Sequence, residues 1–200
     1  GIGGLILAPP NILSAKEKGD FIPRRLDPII RLSSNENPFG PSKRVQQRIK
    51  NSFNHACRYP YAYSDDLEEI LAKKHGVDPE SIIVTGGSTE GLKITGLTFA
   101  SNGGEIISGQ PTFLAMMKFA EQWGASVNWV PVGADKGYDL DEIEKRISSK
   151  TKLVFLCNPN NPTGTLAPEK KLVDFCNSAS KKTIVFSDEA YYDFIDIPNY

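Results

Sequence analysis

From residue 81 onward, apolar positions along the chain follow two alternating periods. Short apolar runs, "SIIVTGG", "GEIISG", "SVNWVPV", "KLVFLC" and "TIVFSDEA", predict five strands, the first over 82–86. The segments between them, "STEGLKITGLTFAS", "TFLAMMKFAEQWG", "DLDEIEKRIS" and "PEKKLVDFCNSASK", space their apolar residues as helices do. Gly124 ends the second of these helices. Asp139 caps the third, with Glu142 at capping-box spacing, and Pro168 stands near the first turn of the fourth. "KLVFLC" is apolar enough to be buried on both faces. Strand–helix alternation of this kind predicts an α/β fold, a parallel-rich sheet with helices on both faces.

The pattern before residue 81 is different. "PSKRVQQRIKNSF" sets Val45 and Ile49 four apart and predicts a helix with Pro41 in its first turn. "YPYAYS" interrupts. "SDDLEEILAKKHGV" then places Leu67, Ile70 and Leu71 on one helical face, with Ser64 or Asp65 as cap and Gly76 as the closing residue. Residues 20–40 hold three prolines and little periodicity, and read as extended. The expected organisation is an arm over 1–40 and a folded domain over 41–200. The opening "GIGGLILAPPNILSA" is too short for a transmembrane helix. It matches either the hydrophobic and cleavage regions of a signal peptide without its basic start, or an arm lying on a partner subunit. Gly1 is no translation start, so the chain is expected to begin inside a longer product. Arg24 and Arg25 follow the apolar stretch and form no twin-arginine signal.

Composition adds exclusions. Hydrophobic residues at 40% and charged residues at 24% are those of an ordinary globular protein. A net charge of −1 gives no electrostatic ground for nucleic acid or an anionic membrane as partner. Cys57, Cys157 and Cys176 are far apart and odd in number, and with His55 and His75 they form no metal-ligand spacing.

Three predicted strand ends carry unusual polar sequence: "TGGSTEG" at 85–91, "NPNNPTG" at 158–164 and "DEAYYDF" at 188–194. Parallel strands would bring all three to one edge, where ligands bind in such sheets. The glycine-rich loop opening a helix suits a phosphate, and equally an ordinary tight turn. In the second, prolines and Gly164 make a rigid frame that holds two side-chain amides, Asn160 and Asn161. In the third, Asp188 and Glu189 are either solvated at a strand end or aimed at a cationic ligand group.

Together these stretches resemble the fold-type I pyridoxal-phosphate aminotransferases, with histidinol-phosphate aminotransferase and its relatives as the nearest branch. The resemblance runs from "SSNENPFGPS" through "YPYAYSDDLEEILAKKHGV", "TGGSTEGL", "QPTF" and "NPNNPTG" to "DEAYYDF", over about residues 30–195 and in the family's order. "NPTG" followed by "DEAY" across a helix and a strand is its most specific part. The resemblance implies pyridoxal 5′-phosphate as cofactor. Asp188 would pair with the protonated ring nitrogen, and Tyr191 and Asn161 would bond the ring 3′-oxygen. Gly87, Ser88 and Thr89 would bind the 5′-phosphate, and Phe113 would stack on the ring. Tyr59 would reach the phosphate from the other subunit of a homodimer, and Asn35 and Asn37 would face substrate. Glu189, Tyr192 and Phe194 are structural in this reading.

The implied reaction is transamination of an amino acid or an amino-alcohol phosphate such as histidinol phosphate, with a 2-oxo acid as acceptor, in amino acid biosynthesis. A threonine-phosphate decarboxylase-like enzyme and a non-catalytic module for pyridoxal phosphate or another phosphate stand as alternatives. The expected compartment is the cytoplasm, or the periplasm if the apolar start is a signal-peptide remnant. One departure is large. The family's Schiff-base lysine lies in a later segment resembling "SKxxGLAGxR", which residues 1–200 do not contain; Lys181 and Lys182 precede the fifth strand. The substrate-carboxylate arginine and the small C-terminal domain are also missing. The expectation is therefore the N-terminal half of a longer enzyme, inactive alone.

Overall fold

The computed structural model describes residues 32–197 and Tyr200. The apolar start, Arg24–Arg25 and the first part of the expected arm lie outside the described residues. The chain divides into two compact units, residues 1–59 and 60–200.

In the first unit, Asn37 closes a turn, accepting from Phe39 N–H at 3.0 Å and donating to the Gly40 carbonyl at 3.2 Å. Helix α1 (Lys43–Ser52) follows, capped by Ser42, whose Oγ accepts from Val45 N–H. Pro41 thus precedes the cap and does not occupy the first turn as expected. Val45, Ile49 and Phe53 are exposed, and α1 buries none of its residues.

In the second unit, α2 (Tyr61–His75) begins ahead of the expected Ser64 or Asp65 cap. Pro60 is the N-cap, and its carbonyl accepts from both Tyr63 and Ser64 N–H. With its own amide spent inside the first turn, Ser64 no longer stands outside the helix to cap it. Gly76 closes α2 in the left-handed conformation, φ +67°.

The remaining elements are α3 (Ser88–Ala100), β1 (Glu105–Gln110), α4 (Ala115–Glu121), β2 (Ser126–Pro131), α5 (Leu140–Arg146), β3 (Thr151–Cys157), α6 (Glu169–Ala179) and β4 (Ile184–Asp188). The four strands form one all-parallel sheet in the order β2-β1-β3-β4. Asp139 caps α5, its carboxylate accepting from Glu142 N–H at 2.9 Å as the spacing predicts. Pro168 is the N-cap of α6.

The predicted strand at 82–86 does not form. Ile82 has extended dihedrals, but none of the four strands pairs with this segment, and Ile83 is 83% exposed. A β-strand exists through its ladder, so an apolar extended run without a neighbour remains coil.

Alternation along the strands divides the core. Ile106, Leu153, Phe155 and Cys157 point to the face covered by α3 and α4, where they meet Leu92, Met116, Met117 and Ala120. Ile107, Val154 and Leu156 point to the opposite face and pack with Leu140, Ile143, Phe175 and Ala179 of α5 and α6. Strand β3 lies inside the sheet and is buried except at Lys152, as its apolar sequence predicts. Each fully buried Leu, Ile, Val or Phe contributes about 1.5–3 kcal/mol. The carboxyl end of β3 is therefore held on a deeply buried strand, and β4 is paired to it at the sheet edge.

Candidate functional site

Strands β3 and β4 end in register, Cys157 opposite Asp188, and Asn158 N–H donates to the Asp188 carbonyl at 2.9 Å. This pairing sets the 158–164 turn beside the start of "DEAYYDF". The third polar stretch, 85–91, opens on the same region. A cavity of about 460 Å³ is lined by Ile83, Thr85, Ser88, Gly91, Leu92 and Thr95 on one side and by Phe186 to Ala190 on the other.

Asp188 is 6% exposed, and its Oδ1 accepts from Ala190 N–H at 3.2 Å. Among the described residues no salt bridge reaches it. Burial pushes its carboxyl above the usual range; the Ala190 bond opposes this and the neighbouring Glu189 adds to it. A buried carboxylate of this kind favours a cationic partner. Glu189 is exposed and accepts from Ser187 Oγ.

Gly87 is the N-cap of α3 at φ +98°, ψ 163°, a conformation that a side chain strains. Thr85 Oγ1 donates to the Gly87 carbonyl at 2.9 Å, and Glu90 accepts from Gly86 N–H. These bonds shape a glycine corner from which Ser88 and Thr89 start the helix. The first-turn amides of a 13-residue helix form a natural anion cradle.

The two asparagines of "NPNNPTG" have different roles. Asn160 is 3% exposed. Its Oδ1 accepts from Thr112 Oγ1 at 2.9 Å and Tyr138 Oη at 2.8 Å; its Nδ2 donates to the Pro111 carbonyl at 3.0 Å and Thr163 Oγ1 at 2.8 Å. All four hydrogen-bonding positions of this amide are thereby committed to protein. Asn161 instead directs its Nδ2 at Tyr191 Oη, 3.4 Å away. Asn158 ties the turn down, accepting from Ala167 N–H at 2.9 Å and donating to Tyr200 Oη at 2.7 Å.

The structure brings together Asp188 and Ser88 on one cavity, and Asn161 with Tyr191 beside it. Phe113 follows β1 and packs on the core cluster of Phe155 and Cys157; it is not in the cavity lining. Asn35, Asn37 and Tyr59 belong to the first unit. Tyr138 carries no motif, and sequence reasoning missed it. Its partner Asn160 lies 22 residues away, so the contact is tertiary and no local signal announces it.

Comparison with known proteins places the chain in a family. The family described as aminotransferase class I and II matches residues 27–197. Histidinol-phosphate aminotransferase 1 of Bacillus cereus is 35% identical over 175 residues, which is 88% of this chain and 47% of that protein. The histidinol-phosphate aminotransferase of Desulfotalea psychrophila is 38% identical over 168 residues, 84% of this chain and 44% of that protein. Among solved structures, histidinol-phosphate aminotransferase from Sinorhizobium meliloti in complex with pyridoxal-5′-phosphate superposes with a TM-score of 0.74 at 25% identity, over 80% of this chain and 44% of that one. The chain spans about half the length of the curated relatives it matches.

Proposed function

The chain belongs to the class I and II aminotransferase family, and on that premise we propose that it is the pyridoxal-phosphate-binding part of an aminotransferase acting on histidinol phosphate or a similar amino-group donor. The observation that carries this reading is the buried Asp188 carboxylate, without a protein cation among the described residues, on a cavity that also receives the start of α3. A cofactor with a protonatable ring nitrogen at one end and a phosphate at the other fits both features.

When bound, the pyridinium ring supplies the electron sink that labilises a substrate α-C–H bond. The chain's own residues hold it ready. Asp188 keeps a proton on the ring nitrogen, because a nearby anion favours the charged form of a base. The Gly87 corner and the amides of Ser88 and Thr89 bind the phosphate. Asn161 and Tyr191, already within 3.4 Å of each other, would bond the ring 3′-oxygen. Phe113, packed beside the core after β1, would stack on the ring. Tyr59 acts toward the phosphate in a second copy of the chain, and Asn35 and Asn37 face substrate. The exposed Val45, Ile49 and Phe53 of the first unit are an apolar stripe suited to such a homodimer. In this reading residues 41–200 are the first part of a larger cofactor-binding domain.

Among the described residues no lysine lines the cavity, and none in residues 1–200 has the family's sequence context. The lysine that would bond the cofactor is therefore assigned outside these residues. Among the described residues no helix is long and apolar enough to cross a membrane.

The test is a transamination assay on the full-length protein. Histidinol phosphate, phosphothreonine and common amino acids serve as donors with a 2-oxo acid acceptor. Turnover of histidinol phosphate supports the assignment; decarboxylation of phosphothreonine, or cofactor binding with no turnover, replaces it. Borohydride reduction and peptide mapping of the same protein is expected to find no cofactor-modified lysine within residues 1–200.

A further inference from the structure

We propose that Tyr138 is a positioning residue: its hydroxyl locks the 158–164 turn against the 111–113 loop, and so sets Asn161 and Phe113 for the cofactor ring. The inference rests on the cofactor assignment above. Tyr138 stands just before α5 and lines none of the cavity. It acts through other residues, and its contacts show which.

Its Oη lies 2.8 Å from Thr112 Oγ1 and 2.8 Å from Asn160 Oδ1, and it accepts from Cys157 N–H at 3.1 Å. Those partners belong to the loop after β1, the turn after β3 and the last residue of β3 itself. Thr112 Oγ1 also reaches Asn160 Oδ1 at 2.9 Å, so three side-chain oxygens share two hydroxyl protons in a closed triangle. Phe113 is the next residue after one corner, and Asn161 the next after another.

The slot that admits Tyr138 depends on Gly109. A Cβ at that position would lie 2.2 Å from ring carbon Cδ1 of Tyr138 and 2.4 Å from Cε1. The aromatic ring therefore lies directly on the β1 backbone, with its hydroxyl carried past the strand end to the loops. Burial pushes the phenol up to about 12, so it remains a neutral donor at any ordinary working pH.

The test uses full-length protein and three readouts: pyridoxal phosphate affinity by fluorescence titration, visible circular dichroism of the bound cofactor, and Tm. Tyr138→Phe keeps the ring and deletes the hydroxyl. It is expected to weaken cofactor affinity roughly tenfold and to reduce the dichroism of what binds. Ser108→Ala is the control. It removes another buried hydrogen bond, from Ser108 Oγ in β1 to the Phe155 carbonyl in β3 at 2.9 Å, with neither partner in the two loops. It should lower Tm comparably and leave affinity and dichroism at the native values.

Native affinity and dichroism in Tyr138→Phe overturn the inference, as do equal losses in Tyr138→Phe and Ser108→Ala. If Tyr138→Phe does not fold, Thr112→Val breaks the same triangle. It should lose affinity while Thr112→Ser retains it; Thr112→Val with native affinity overturns the inference equally. A native protein that takes up no pyridoxal phosphate defeats the proposed function itself, and this inference with it.

Discussion

Asp188→Asn separates the charge of this side chain from its shape. The amide oxygen can still accept from Ala190 N–H, 3.2 Å away in the native chain, and the volume hardly changes. Two opposite effects follow. In the cofactor-free protein the native carboxylate is 6% exposed, with one backbone donor and no salt bridge among the described residues. An under-satisfied buried polar group costs about 1–3 kcal/mol. The cofactor-free Asn variant is therefore expected to be more stable at neutral pH, with Tm raised by roughly 2–12 °C for a protein of this size. With cofactor the sign reverses. A hydrogen bond to a charged group is worth about 1.5–3 kcal/mol, so affinity should fall roughly ten- to hundredfold.

The pH dependence has a definite sign as well. Burial raises the Asp188 carboxyl above the ordinary range, so over that window the folded protein holds a proton that the unfolded chain has released. Stability of the cofactor-free protein falls as pH rises from the ordinary carboxylate range through the raised value. The Asn variant lacks this contribution. Thermal denaturation from acid to neutral pH, with and without cofactor, measures all three effects. An Asn variant with native or lower Tm at neutral pH, and the native pH slope, would refute the reasoning.

Ser88→Pro should fold, because proline is tolerated at the first helical position, yet it deletes one amide of the anion cradle. Cofactor affinity is expected to fall roughly tenfold or more, measured by fluorescence titration. Asn160→Ala and Asn161→Ala should separate structure from binding. The first empties an amide with four protein bonds and should lower Tm, whereas the second should weaken cofactor binding with little change in Tm. Phe155→Ala removes a fully buried side chain from the α3–α4 face and should cost about 3–5 kcal/mol by chemical denaturation.

Hydrophobic periodicity determined much of this molecule. The runs 104–109, 126–132, 152–157 and 183–190 overlap the four strands to within one or two residues at each end, and the capping chemistry of Asp139 and the closing Gly76 are local matters that a few adjacent residues decide. The polar stretches after β3 and β4 were legible for the same reason, since parallel strands carry their carboxyl ends to one edge; the stretch at 85–91 follows no strand. What depended on partners was not legible. The apolar run at 82–86 has the composition of a strand, but its state is set by whether a neighbour supplies a ladder, and no described strand does. The two adjacent asparagines are chemically identical in sequence. Only the packing of Tyr138 over Gly109 and the approach of Thr112 commit Asn160 to the frame and leave Asn161 directed at Tyr191. Asp188 is a carboxylate in any conformation. Burial at the sheet edge, away from any described cation, is a property of the folded arrangement, because desolvation depends on every atom that displaces water and not on the residues beside it in the chain.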